Sequence, residues 1–199
     1  MKRIKLIALS CLTLAALNTA HATMPLPMGW YVEGNIGLPE VNNIDYASNA
    51  SNSMSGLAWS VNAGYKFMPF FALEGGYINY ATTNIENNDT KVGKATSQTF
   101  DLVGKVMLPI QNSGFEFMAK LGVGRTKTHV TASDPTYAAA NGVTVNAGTD
   151  NATALIYGLG GEYAFYPEML VNAQWTRSDG GSTTGNLDLY SIGIAYLFG

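Results

Sequence analysis

In GLAWSVNAGYKF, residues 56–67, the residues Leu57, Trp59, Val61, Ala63, Tyr65 and Phe67 take one parity, and Ala58, Ser60, Asn62, Gly64 and Lys66 take the other. Side chains alternate across a β-strand, so this spacing predicts a strand with one apolar and one polar face. The same period recurs over residues 30–37, 71–80, 99–108, 115–124, 153–165, 169–177 and 190–199, which makes eight predicted strands. In the last of them Tyr190, Ile192, Ile194, Tyr196 and Phe198 share one side. The patterning has no fixed sequence period, so it predicts repeated hairpins rather than a solenoid.

The connections alternate in length. Residues 38–55, 81–97, 128–152 and 178–186 are long and rich in Asn, Ser, Thr and Gly, whereas Met68-Pro69-Phe70, Pro109 to Gly114 and Tyr166-Pro167-Glu168 are tight. Long connections on one side and short ones on the other are the arrangement of an outer-membrane barrel. Pro69, Pro109 and Pro167 all fall at the short turns, where no ladder donor is lost. Within the longest connection Asn141-Gly142 reads as a hairpin turn. The expected fold is all-β, an eight-stranded antiparallel up-and-down transmembrane barrel.

A soluble barrel shares this alternation with its faces reversed, so charge and aromatic placement must decide which face points out. The polar face carries Glu33, Lys66, Glu74, Asp101, Lys105, Glu116, Lys120 and Glu162 among many small residues. So few charges suit a tight interior better than a solvated exterior. On the apolar face Trp30, Phe67, Phe71, Phe115, Phe165 and Phe198 cluster near the short turns, with Tyr196 beside them. A second group, Trp59, Tyr77, Phe100, Tyr157, Trp175 and Tyr190, lies six to eight residues along the same strands. Eight residues at about 3.3 Å each, tilted by about 40°, rise roughly 20 Å, near the ~25 Å apolar band of such barrels. Two aromatic girdles at the lipid–water boundaries are therefore expected. The last strand should pair with the first, near Trp30, because a bilayer offers no water to an open sheet edge.

The N-terminus adds an export signal. MKRIK is positive, LIALSCLTLAAL is apolar but too short to span, and Ala20-His21-Ala22 offers small residues for cleavage. Residues 1–22 are thus expected to be a cleaved signal peptide and residues 23–199 a single barrel domain. Removal of the leader takes away the one cysteine and three of the 11 basic residues, leaving 8 against 14 acidic, a net charge of −6. That excludes disulfide chemistry and gives no reason to expect nucleic acid.

Together the leader, the eight strands, the turn prolines, FALEGGY, AKLGVG and the closing YLFG resemble the small outer-membrane barrel families, namely the OmpA transmembrane domain and the opacity-type or OmpX-like proteins. The resemblance covers nearly the whole mature chain and implies a Gram-negative outer-membrane location. It also implies outer-membrane lipid and lipopolysaccharide as surroundings, and recognition of the C-terminal strand by the barrel-assembly machinery. Gly199, after the terminal aromatic, departs from that recognition pattern by one residue. The periplasmic peptidoglycan-binding domain of a full-length OmpA is not expected, since the predicted strands run to the end.

Inside a barrel of eight strands side chains fill the lumen. Aligning strands from their short turns puts Glu74 and Lys105 three residues up on neighbouring strands and Lys120 and Glu162 at nearby levels, and these with Glu33 predict a charge network that either plugs the barrel or gates a narrow ion path. Catalysis is not expected. The one mature histidine, His129, has Thr131 two residues on and Ser133 four on, loosely like a His-x-Ser lipid A deacylase spacing with the wrong hydroxyl and no orienting acid. One histidine without cysteine makes no zinc site, Asp45, Asp89, Asp134, Asp150 and Asp179 lack calcium-loop spacing, and no cofactor is expected. Asn-x-Ser/Thr triplets at Asn49, Asn88 and Asn151 carry no weight outside a eukaryotic secretory context. The expected role is that of a monomeric, structural envelope barrel with exposed loops. The alternatives are a surface adhesin that meets a host or surface ligand through residues 128–152, where Tyr137 is the one aromatic with Tyr46 in the first loop, and a narrow channel.

Overall fold

The structure is a computed structural model that describes residues 28–42, 51–54, 56–87, 90–110, 113–133 and 135–198. The expected leader, Tyr46, Asp45, Asp89, Asp134, Asn49, Asn88 and Gly199 lie outside the described residues. Among the described residues there are ten strands: β1 (Gly29–Asn42), β2 (Ser51–Met54), β3 (Ala58–Met68), β4 (Phe71–Asn79), β5 (Thr83–Asn87), β6 (Thr90–Pro109), β7 (Phe115–Ala132), β8 (Gly148–Tyr166), β9 (Met169–Asp179) and β10 (Asn186–Phe198). Eight of them form a closed antiparallel ring in the order β1-β3-β4-β6-β7-β8-β9-β10. The ring closes where β1 meets β10, with Trp30 opposite Phe198 and Ile36 opposite Ile192.

The apolar parity points outward. Trp30 (64 % exposed), Leu121 (63 %) and Ile192 (58 %) look away from the ring, while Glu33 (1 %) and Lys105 (2 %) are enclosed by it. A soluble barrel would show the reverse. The fold is thus the eight-stranded barrel that the period-two pattern predicts.

The long connections differ from expectation. Much of residues 38–55, 81–97 and 128–152 is strand: β1 runs on to Asn42, β6 begins at Thr90, β7 continues to Ala132 and β8 begins at Gly148. β5 pairs with the first residues of β6, and β2 adds outside β5, so a five-stranded ledge rises from one rim. These segments set only a few apolar residues, Ile85, Val92, Ala95 and Val130, among Thr, Ser, Asn, Gln and Lys, so they carry no continuous apolar alternation by which a strand is recognised. Their inward hydroxyls bond one another instead: Ser97 with Thr128 at 2.9 Å, Thr99 with Thr126 at 2.8 Å, and Thr126 with Ser178 at 2.8 Å. Pro39 is tolerated because β1 pairs with β3 only as far as Gly37, which leaves its other side unpaired there.

A small second core sits in this ledge, where Ile85, Val92, Ala95, Val130, Ala138 and Val143 pack together. Ala138 belongs to α1 (Pro135–Ala140), a helical turn that the sequence pattern did not indicate. Asn141-Gly142 is its C-terminal cap and not a hairpin turn. Gly142 adopts φ +66°, Val143 N–H donates to Ala138 C=O at 2.8 Å, and Gly142 N–H donates to Ala139 C=O at 3.3 Å. That is a Schellman closure, and buried Val143 meeting Ala138 is its usual apolar contact. A second short helix, α2 (Gly181–Thr184), bridges β9 and β10.

Candidate functional site

The strand registers place like charges side by side. Lys105 of β6 lies opposite Lys120 of β7, and Glu116 of β7 lies opposite Glu162 of β8. Such cross-strand pairs repel. Opposite charges from other strands resolve the conflict: Glu33, Glu74 and Glu162 for the two lysines, and Lys66 and Lys105 for the two glutamates.

Glu33 of β1 is the hub. Its Oε1 accepts from Asn35 at 2.9 Å, Asn62 at 3.2 Å, Gln174 at 2.8 Å and Lys120 at 3.4 Å, and its Oε2 accepts from Lys105 at 3.4 Å. Lys105 also donates to Glu162, and Lys120 donates to Glu74 at 2.7 Å. Each ammonium therefore has two carboxylates, and Glu33 is shared between them. The Tyr31 hydroxyl donates to the second oxygen of Glu74 at 2.8 Å, and Lys105 lies 5.3 Å from the centre of the Tyr31 ring. Gly64 makes room for that ring, since any Cβ there would overlap it.

The other three charges of the polar face stand apart from this hub. Lys66 and Glu116 pair at 3.5 Å near the short-turn end. Asp101 lies toward the rim, beside a space of about 10 Å³ that Glu74 and Lys120 also line. That volume is roughly the room of one water. Asp101 forms no ion pair with any described residue. Tyr31, Asn35, Asn62 and Gln174 were not singled out from the sequence, although each shares the inward parity of Glu33 or its neighbours. A neutral polar residue on that parity is the signal that would have found them.

On the outside, rings gather at two heights. Near the short turns Trp30 meets Tyr65 at 5.2 Å, Phe67 meets Phe71 at 5.0 Å, Phe115 meets Tyr163 at 5.3 Å, Phe165 meets Tyr166 at 5.3 Å, and Tyr196 meets Phe198 at 5.0 Å. Toward the other rim Trp59 meets Tyr77 at 5.4 Å, Tyr77 meets Phe100 at 4.7 Å, and Tyr157 meets Trp175 at 5.7 Å. Tyr190 stands opposite Trp175 in the β9–β10 register. Arg177 stacks over Trp175 at 5.5 Å and pairs with Asp188 at 2.7 Å.

His129 lies on the outer wall of β7, where its Nδ1 shares a hydrogen bond with the Thr149 hydroxyl at 2.8 Å. The partner comes from β8, not from Thr131 or Ser133 of its own segment, so sequence proximity pointed to the wrong hydroxyls. Among the described residues no three His, Cys, Asp or Glu side chains gather as a metal site would require.

The family model described as outer membrane protein beta-barrel domain matches residues 6–198. Similar solved structures include Neisserial surface protein A, 15 % identical over 85 % of this chain and 97 % of its own, with a TM-score of 0.59. The outer membrane protein OprG from Pseudomonas aeruginosa is 15 % identical over 86 % and 96 %, with a TM-score of 0.57. Ail, the attachment invasion locus protein of Yersinia pestis, is 14 % identical over 86 % and 100 %, with a TM-score of 0.56. At these identities the likeness is one of fold. No curated protein sequence matches the chain.

Proposed function

Because the chain belongs to the outer membrane protein beta-barrel domain family, we propose that it is a structural component of the envelope, a plugged barrel that conducts no ions and carries an ordered ledge on its extracellular rim. Its place is the Gram-negative outer membrane, as for its family and structural neighbours. The observation that carries the reading is the Glu33 hub, which draws β1, β4, β6, β7, β8 and β9 together across the lumen. An ion path through it would have to break several charge-assisted bonds at once, each among the stronger of their kind. Seven of the eight lumen charges serve as internal ties, and the two ring groups serve as anchors at the membrane boundaries.

A second reading, surface recognition, is favoured by the ledge. Its own small core and capped helix hold Tyr137 and residues 135–147 on a firm support, as binding surfaces often are. One comparison separates the readings. A strain lacking the protein is complemented with the full chain or with a variant in which residues 133–147 are replaced by a two-residue turn, and resistance to detergent and bile salts is scored. Restoration by both supports the structural role. Restoration by the full chain alone, with the short variant still folded, transfers the function to the ledge. Conductance of the wild type and of Lys105→Ala in planar bilayers tests the plug: a silent wild type is expected, and steady unit currents from it would overturn the reading.

A further inference from the structure

Among the described residues the lumen charges do not balance. Glu33, Glu74, Asp101, Glu116 and Glu162 are five carboxylates on the inward parity, and Lys66, Lys105 and Lys120 are three ammonium groups, so two negative charges are in excess. Lys66 is taken by Glu116, and Lys105 and Lys120 by Glu33, Glu74 and Glu162. Asp101 has no ammonium of its own. An ionised group inside a protein is costly unless opposite charge stands beside it.

The surroundings of Asp101 are oxygen. It stands opposite Gly76 of β4, which in turn stands opposite Asn62 of β3. A Cβ at Gly76 would lie 2.6 Å from Asn62 Oδ1 and 2.7 Å from Asp101 Oδ1, so both oxygens border the room that this glycine leaves. The hub decides which way the amides turn. Asn62 and Gln174 each give their NH2 group to Glu33 Oε1, at 3.2 and 2.8 Å, and their carbonyl oxygens are thereby left for other partners. Gln174 is only 8 % exposed and lines the space of about 10 Å³ together with Asp101 and Asn62, and its Oε1 has no partner among the described residues. Glu74 and Lys120 border the same space, but both oxygens of Glu74 are already bonded, to Lys120 and to Tyr31. One uncommitted carboxylate with amide carbonyls beside it is the donor type that hard cations take.

We propose that this space is a site for one small monovalent cation, Na+, held by the Asp101 carboxylate and the carbonyl oxygens of Gln174 and Asn62 as a fixed counter-charge within the plug. A water molecule fits the same volume and donates two hydrogen bonds, but it leaves both excess charges in place. The cation removes one of them. A divalent ion fits less well, because only one carboxylate is uncommitted and the Lys120 ammonium, which borders the space, repels it twice as strongly. The inference rests on the hub being a plug, since an open water path would screen Asp101 without a bound ion.

The test is urea unfolding of the full mature chain from uncharged phosphatidylcholine vesicles at one fixed pH, with NaCl exchanged for tetramethylammonium chloride at constant ionic strength. Tetramethylammonium is too large for the space, so general screening is held equal while the proposed ligand varies. A single ion bound only by the folded barrel raises the folding constant about tenfold for each tenfold rise in Na+ once the site fills. Wild type and the exposed-rim control Asp150→Asn are expected to follow that slope, and Asp101→Asn, of the same size, to show none while keeping the same heat-modifiable migration. A wild type indifferent to Na+, a response to Ca2+ alone, or a Na+ slope retained by Asp101→Asn overturns the site. Stability that rises on acidification and ignores Na+ assigns the compensation to a proton and overturns it equally. Planar-bilayer conductance of the wild type reads the plug separately: steady currents would refute the plug, whereas a silent barrel without the Na+ slope would refute the site alone.

Discussion

Replacing Glu33 by Gln keeps the size of the side chain and removes its charge, which isolates the hub from simple packing. Glu33 lies 3.4 Å from both Lys105 and Lys120. At an effective dielectric of about 20, each such pair is attracted by roughly 5 kcal/mol. Desolvation of the three ions offsets much of that, and each lysine keeps one further carboxylate, Glu162 or Glu74. The expected net loss is therefore at the low end of that for a broken buried pair, about 3 kcal/mol. Three neutral donors, from Asn35, Asn62 and Gln174, also lose a charged acceptor, although the Gln carbonyl can serve some of them. Urea unfolding from lipid vesicles, followed by tryptophan fluorescence, measures the change. The double variant Glu33→Gln/Lys105→Met should recover part of the loss, because an unpaired buried ammonium is removed with its partner. If Glu33→Gln unfolds within about 0.5 kcal/mol of the wild type, a surface-like value, the hub does not hold the barrel together and the reasoning fails.

Ile194 faces outward near the middle of β10 and is 53 % exposed. Ile194→Arg should cost about 2–4 kcal/mol in vesicle unfolding if that face meets lipid, and close to nothing if it met water. Gly142→Ala places a Cβ at φ +66° and should loosen the cap of α1 by about 1 kcal/mol. The expected readout is faster proteolysis near residues 135–145 with an unchanged unfolding midpoint for the barrel, and a lowered midpoint would show that the ledge and barrel unfold as one unit.

The period-two pattern determined the membrane-spanning part of this protein almost residue by residue. Strand existence, the short turns at Pro69, Pro109 and Pro167, the pairing of Trp30 with the end of the chain, and the outward apolar face all follow from one constraint. A strand between lipid and a packed lumen must alternate, and a membrane allows no open edge. Even the heights of Glu74, Lys105, Lys120 and Glu162 could be read by counting from the turns, because the rise per residue is nearly constant.

Beyond the membrane that constraint lapses. The upper parts of β6, β7 and β8 face water or a hydroxyl-filled lumen, so Thr, Ser and Gln serve on both faces and the strand signal fades. Asn141-Gly142 suits a hairpin or a helix cap equally well in local terms, and only the packing of Ala138 and Val143 against Ile85, Val92 and Val130 chose the cap. Partner choice is likewise tertiary. Which carboxylate reaches which lysine, Thr149 rather than Thr131 beside His129, and Tyr31 in the space left by Gly64 depend on side chains meeting across a ring, between strands as far apart in sequence as Glu33 and Gln174. A sequence period fixes the face and height of a residue; the curvature of the closed barrel fixes whom it meets.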